Sequence, residues 1–79
     1  MKIPVIKKLV EQCTLEELMA AEKAISEEAK PAIEVPGDDE GEQLTHAFAA
    51  MWIKEKVNEG EDFKKALRAY TQMVRQSID

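Results

Sequence analysis

Residues 47–53 read AFAAMWI, an unbroken apolar stretch inside a segment whose other signals are helical. Gly41 lies shortly before this stretch and Gly60 shortly after it. A surface helix is normally apolar along one stripe and polar elsewhere, but this one is apolar almost all round for about two turns. It has to be covered on more than one side. The stretch therefore predicts a central helix, a subunit interface, or both.

The chain of 79 residues is expected to form one domain spanning residues 1–79. A domain this small buries only about 60% of its unfolded surface, and the single cysteine, Cys13, excludes an internal disulfide. One cysteine suits a reducing compartment, and no stretch approaches the roughly 20 apolar residues of a membrane helix. We therefore expect a cytoplasmic protein. No ligand motif stands out in the sequence, and we expect no cofactor. Self-association is the expected source of additional buried area.

Helical spacing of the apolar residues predicts an all-α fold, a small bundle of four helices of which the first is short. The four predicted helices cover residues 4–12, 15–28, 40–58 and 63–77. Thr14 and Glu17 form a capping box at the start of the second helix, and Pro31 is expected to end it. Asp38 or Asp39 caps the third helix, and Gly60 is a left-handed stop after it.

Residues 32–36 alternate between apolar and polar side chains, which predicts one extended crossing between helices 2 and 3. Ile33 and Val35 lie on one side of this crossing and Glu34 on the other. A strand that pairs with its own copy across a dimer axis is one interpretation. The favoured interpretation is a linker whose Ile33 and Val35 plug the helical core.

The third helix carries two apolar faces on a helical wheel. The residues of the main face are Leu44, Ala47, Phe48, Met51 and Trp52. The residues of the second face are His46, Ala50, Ile53 and Val57. One face can pack against helices 2 and 4, and the second then needs another cover. These four residues are therefore the candidate interface of a homodimer, and Ile53→Glu is expected to split the dimer or unfold it.

The net charge is −5, and the acids gather in the middle of the chain. The acidic residues of this segment are Glu34, Asp38, Asp39, Glu40 and Glu42. An EF-hand aligned on Gly41 would need carboxylates at Pro36 and Ala47, so a calcium loop is excluded. A solvated helix start explains the cluster, and the same acids are the candidate contact for a basic protein partner.

His46 is the only histidine, and its position on an apolar face favours a hydrogen-bonded structural role. The functional alternative is a small metal-binding or catalytic protein in which His46 works with Glu22 or Glu42; a Glu22 contact across the bundle would satisfy both groups. Cys13 continues the apolar face of the first helix and is expected to be a buried, inert thiol. No metal site is assigned, because one cysteine and one histidine cannot build a closed zinc site.

Three basic residues of the fourth helix share one face: Lys64, Arg68 and Arg75. They suggest a second alternative, a nucleic-acid-associated regulator. The acidic total argues against nucleic-acid binding, because such binding depends on neutralising phosphates.

Three segments resemble a small family of uncharacterised, short, acidic bacterial proteins, a domain of unknown function. They are MKIPVIKKLVE at the start, EGEQLTHAFAAMWI in the middle and DFKKALRAYTQ near the end. The resemblance covers nearly the whole chain and implies a complete bacterial protein. It implies no activity, cofactor or catalytic residue. The favoured function is therefore a small non-enzymatic accessory module that contacts other proteins and forms a homodimer.

Overall fold

The longest helix, α3 (Glu40–Asn58), is the centre of the structure, a computed structural model that describes residues 2–78 and the side chains of residues 2–75. The other helices are α1 (Ile3–Gln12), α2 (Leu15–Ser26) and α4 (Phe63–Ile78). Each of them packs against α3, and none of the described residues is in a strand. The predicted all-α bundle of four helices and the central position of the third are confirmed. Within the described residues, no helix has the length and apolar character needed to cross a bilayer.

The starts of α2 and α3 have the predicted caps. The Thr14 side chain accepts a hydrogen bond from the Glu17 backbone N–H at 3.1 Å, and the Glu17 carboxylate accepts one from the Thr14 backbone N–H at 2.8 Å. This reciprocal pair is the capping box. At α3 the Asp39 carboxylate accepts from the backbone N–H of Glu42 at 2.8 Å, so Asp39 rather than Asp38 is the cap.

Gly60 ends α3 in the left-handed conformation, as predicted, with a φ of +101°. The backbone N–H of Gly60 donates to the Val57 carbonyl, and that of Glu61 donates to the Lys56 carbonyl, both at 3.0 Å. These two bonds form a Schellman motif, which satisfies carbonyls that the helix end would otherwise leave open.

The end of α2 differs from the prediction, because the helix stops at Ser26 rather than near Glu28. Glu28 itself adopts a left-handed φ of +61°. Its backbone N–H donates to the Ile25 carbonyl at 3.0 Å, and the Ala29 N–H donates to the Ala24 carbonyl at 2.7 Å. A Schellman motif therefore ends α2 several residues before Pro31, so the proline is not what terminates the helix. A glutamate occupies the left-handed position that usually holds glycine.

The crossing between α2 and α3 closes one side of the core. Val35 is buried, and Ile33 is half-buried and packs against the same cluster. Neither residue is in a strand. The plug interpretation of Ile33 and Val35 is therefore confirmed.

Lys54 fixes the far end of α1 against α3. Its ammonium group donates to the Val10 carbonyl oxygen at 3.0 Å. That carbonyl belongs to the last turn of α1, where carbonyls lack partners within the helix and where a positive charge is favourable. Lys54 of α3 thus satisfies a carbonyl group at the C-terminal end of α1.

Candidate functional site

His46 lies where three parts of the chain meet, and its side chain is fully buried. Its Nε2 atom accepts a hydrogen bond from the backbone N–H of Lys2 at 2.9 Å, and its Nδ1 atom lies 2.7 Å from the Pro36 carbonyl oxygen. A backbone N–H can only donate, so Nε2 carries no proton and Nδ1 donates to Pro36. His46 is therefore a neutral imidazole that ties α3 to the start of α1 and to the crossing.

Both ring nitrogens of His46 make hydrogen bonds within the chain, which argues against the metal or catalytic alternative. The predicted contact with Glu22 does not form, because backbone groups occupy both positions. A substrate or metal ion would have to displace one of these bonds at a ring with no exposed surface. Among the described residues, no three His, Cys, Asp or Glu side chains are grouped to hold a metal ion. The expected structural role of His46 is thus what the geometry supports.

The candidate interface residues His46, Ala50, Ile53 and Val57 all face the interior of the chain itself. The first three are 0% exposed, and Val57 is half-buried against the same core. The premise that this face needs a second copy as its cover is therefore wrong: packing within one chain already buries it. If copies of the chain associate, they use a different surface.

The apolar surface of α3 that stays partly exposed lies on the opposite side of the helix, along Leu44, Phe48 and Met51. Spacings of four and three residues place these side chains on one face of the helix, here named the α3 stripe. Phe48 is 40% exposed, and Leu44 and Met51 are half-buried. The face that the sequence suggested as the main core face is thus the one left partly open to solvent. Ala47 is the exception and is fully buried.

Aromatic contacts with α4 hold the exposed ring in place. The centroids of Phe48 and Tyr70 lie 6.2 Å apart, and those of Trp52 and Tyr70 lie 5.8 Å apart, both in tilted arrangements. The Lys56 ammonium group lies 5.3 Å from the centroid of Trp52. Aromatic pairs at such distances contribute about 0.5–1.5 kcal/mol beyond the area they bury. The α3 stripe is therefore supported from beneath by ring packing.

Four of the predicted acidic residues lie at the N-terminal end of α3, and we name them the acidic rim: Asp38, Asp39, Glu40 and Glu42. Glu34 is not part of the rim, because it lies in the crossing beside residues of α1 and α2. Asp39 is used as the helix cap, while the Lys2 ammonium group lies 3.9 Å from a carboxylate oxygen of Asp38 and 3.9 Å from one of Glu42. The Asp38 side chain is still 81% exposed. Glu40 is exposed and lies four residues before Leu44, so the rim adjoins the α3 stripe.

Cys13 and the basic residues of α4 show no sign of a reactive site. Burial, with a smaller contribution from the Glu17 carboxylate, raises the pKa of the Cys13 thiol, and the Lys54 charge opposes this only in part. A raised pKa disfavours the thiolate that nucleophilic chemistry requires. The side chains of Lys64, Arg68 and Arg75 are exposed and make no ion pair with another described residue.

The partners of His46 and Lys54 could not be found from residue types. The groups that bind them are backbone atoms of Lys2, Pro36 and Val10. Every residue carries such atoms, so no pattern in the sequence marks them. The only available signal was that a polar ring and a lysine lie near an apolar face and need partners there.

A family model matches residues 1–79, the full length of the chain, and its description is a family of unknown function, DUF6952. The chain belongs to this family. The resemblance noted in the sequence is confirmed to that extent. No curated protein and no solved structure matches the chain. Membership of DUF6952 transfers no activity, so function has to be argued from the surfaces of this molecule.

Proposed function

We propose that this protein is a non-enzymatic interaction module that binds other proteins through the α3 stripe and the adjoining acidic rim. The observation that supports it most directly is the partly exposed ring of Phe48 on the central helix. An aromatic side chain at the centre of a contact surface is a frequent source of binding energy. Here Tyr70 already orders the ring, so a partner does not have to bear the full entropic cost of fixing it.

The chemistry of the surface defines the partner. The stripe is apolar along Leu44, Phe48 and Met51, and the acids Asp38 and Glu40 lie at its N-terminal end. A helix with an apolar face flanked by lysine or arginine complements both features. Opposite charges at the rim of such a contact mainly accelerate association and favour the correct partner. The expected partner is therefore a basic amphipathic segment of another protein.

The test uses two synthetic amphipathic helices with the same leucine face, one flanked by lysines and the other by glutamates. Each is titrated into ¹⁵N-labelled protein. The lysine peptide is expected to shift the backbone amides of Leu44, Phe48 and Met51, and the glutamate peptide is not. Phe48→Ser should abolish the shifts, and Asp38→Asn should weaken them most at low salt. The proposal fails if the stripe responds to neither peptide or equally to both.

A homodimer through the same stripe is the competing outcome, since a second copy can also cover Phe48. Light scattering at increasing protein concentration distinguishes the two. A mass that doubles in the wild type but not in Phe48→Ser assigns the stripe to self-association instead of a basic partner. The unpaired Cys13 suits a reducing compartment, so we propose that the module acts in the cytoplasm.

Nucleic-acid binding receives weaker support. The exposed bases Lys64, Arg68 and Arg75 lie on a molecule whose net charge is −5. A duplex would be repelled by most of the surface that approaches it. A gel shift at low salt is expected to show no complex.

A further inference from the structure

A second surface feature is independent of the α3 stripe: a cleft between α1, the start of α2 and the crossing. Its volume is about 310 Å³, at the lower end of the range for small-molecule sites. Apolar side chains contribute to both walls, with Val5 and Leu9 from α1 and Ile33 from the crossing. Leu9 is buried, while Val5 and Ile33 are half-buried. The cleft is therefore sized for a small ligand with a short apolar body.

Charges of both signs line the same cleft without neutralising one another. Lys8 belongs to α1, Glu17 to α2 and Glu34 to the crossing. Within the described residues Lys8 makes no ion pair with either carboxylate. One oxygen of Glu17 is used by the capping box, which leaves the other oxygen free to accept. The cleft thus presents one cation and two anions from separate elements, together with apolar side chains.

We propose that this cleft binds a small zwitterion of the aliphatic amino-acid class. The ligand ammonium group would lie against Glu34 and the free oxygen of Glu17, its carboxylate against Lys8, and its side chain against Leu9 and Ile33. Such a ligand satisfies charges that the fold holds apart. A purely anionic or purely cationic molecule of the same size leaves one side of the cleft unpaired.

The experiment compares L-leucine with its two half-molecules, 3-methylbutylamine, which lacks the carboxylate, and 4-methylpentanoate, which lacks the amine. Each is titrated into ¹⁵N-labelled full-length protein at millimolar concentrations. Leucine is expected to shift amides on both walls, around Leu9 and Ile33. Each half-molecule should bind about fivefold more weakly, the upper range for one exposed ion pair.

Variants of the protein test which charged residue of the cleft binds which charged group of the ligand. Lys8→Gln should weaken the binding of leucine about fivefold and leave the affinity for 3-methylbutylamine unchanged. Glu34→Gln should also weaken the binding of leucine about fivefold, but it should leave the affinity for 4-methylpentanoate unchanged. Lys7→Gln is the matched control, since Lys7 is exposed on α1 but does not line the cleft. The proposal is overturned if leucine, valine and methionine all leave both walls unshifted. It is also overturned if a half-molecule binds as well as leucine, or if Lys7→Gln acts like Lys8→Gln.

Discussion

Replacing His46 by leucine tests the tie between α3, α1 and the crossing. Leucine fills most of the same volume but can neither donate nor accept, so the Lys2 N–H and the Pro36 carbonyl lose their partner. A buried group left without a hydrogen bond costs about 1–3 kcal/mol. Lys2 and Pro36 are both exposed as residues, and water can partly replace the ring, which places each loss at about 1–1.5 kcal/mol.

The expected total for His46→Leu is therefore about 2–3 kcal/mol. A domain of 79 residues has a free energy of unfolding of about 4–12 kcal/mol, so the variant should fold but with a clearly reduced margin. Urea denaturation followed by circular dichroism measures it. With a slope near 1 kcal/mol per molar, the midpoint should fall by about 2–3 M at an unchanged slope.

Two further variants separate the bonds. In His46→Asn the amide nitrogen takes the place of Nδ1 and can still donate to Pro36, whereas in His46→Gln the amide oxygen reaches the place of Nε2 and can still accept from Lys2. Each should lose about half as much stability as His46→Leu. The Lys2 amide resonance should move in the asparagine variant and stay in place in the glutamine variant. Unchanged stability in His46→Leu, together with an unmoved Lys2 resonance, would refute the reasoning.

Three other predictions concern the left-handed residues at two helix ends, the ionisation of Cys13 and Tyr70, and the hydrogen bond of Lys54. Glu28→Gly should stabilise the fold by about 0.5–1 kcal/mol and Gly60→Ala should destabilise it by about 1 kcal/mol, because both positions are left-handed; urea midpoints that move the other way contradict this. Burial raises the pKa of Cys13 and Tyr70 above 9.0 and 10.0. The unfolded chain therefore ionises first, and stability falls as the pH rises above 9. Urea titrations of Cys13→Ala and Tyr70→Phe should show a shallower alkaline decline, and a decline identical to wild type would count against the cause. Lys54→Met should cost about 1 kcal/mol in thermal melts through the lost bond, and an unchanged melting temperature would show that the bond contributes nothing.

The starts of α2 and α3 and the end of α3 were predictable because each depends on residues close in sequence. The capping box needs only Thr14 and Glu17, and the stop after α3 needs only Gly60. The end of α2 was missed because glutamate at the left-handed position carries no such signal. Glu28 has a left-handed φ at the position where two backbone hydrogen bonds close the helix.

The orientation of α3 could not be read from its hydrophobic pattern, because both faces are apolar. The fully buried residues of the helix include Ala47, Ala49 and Ala50, while Phe48 remains partly exposed. Ile53 and His46 are fully buried on the same side, so the buried face combines small side chains with large ones. A ranking by hydrophobicity alone does not separate the two faces, because each of them carries large apolar side chains.

The central claim is that the face of α3 with Ile53 is buried and that the α3 stripe is partly exposed to solvent. Thermal melts of Ile53→Glu and Phe48→Glu, followed by circular dichroism, test it most directly. Ile53 is 0% exposed and Phe48 is 40% exposed, so a buried, unpaired carboxylate arises only in the first variant. We expect Ile53→Glu to lose its cooperative transition and Phe48→Glu to keep its helical signal and a cooperative melt. A folded Ile53→Glu beside an unfolded Phe48→Glu would contradict the account.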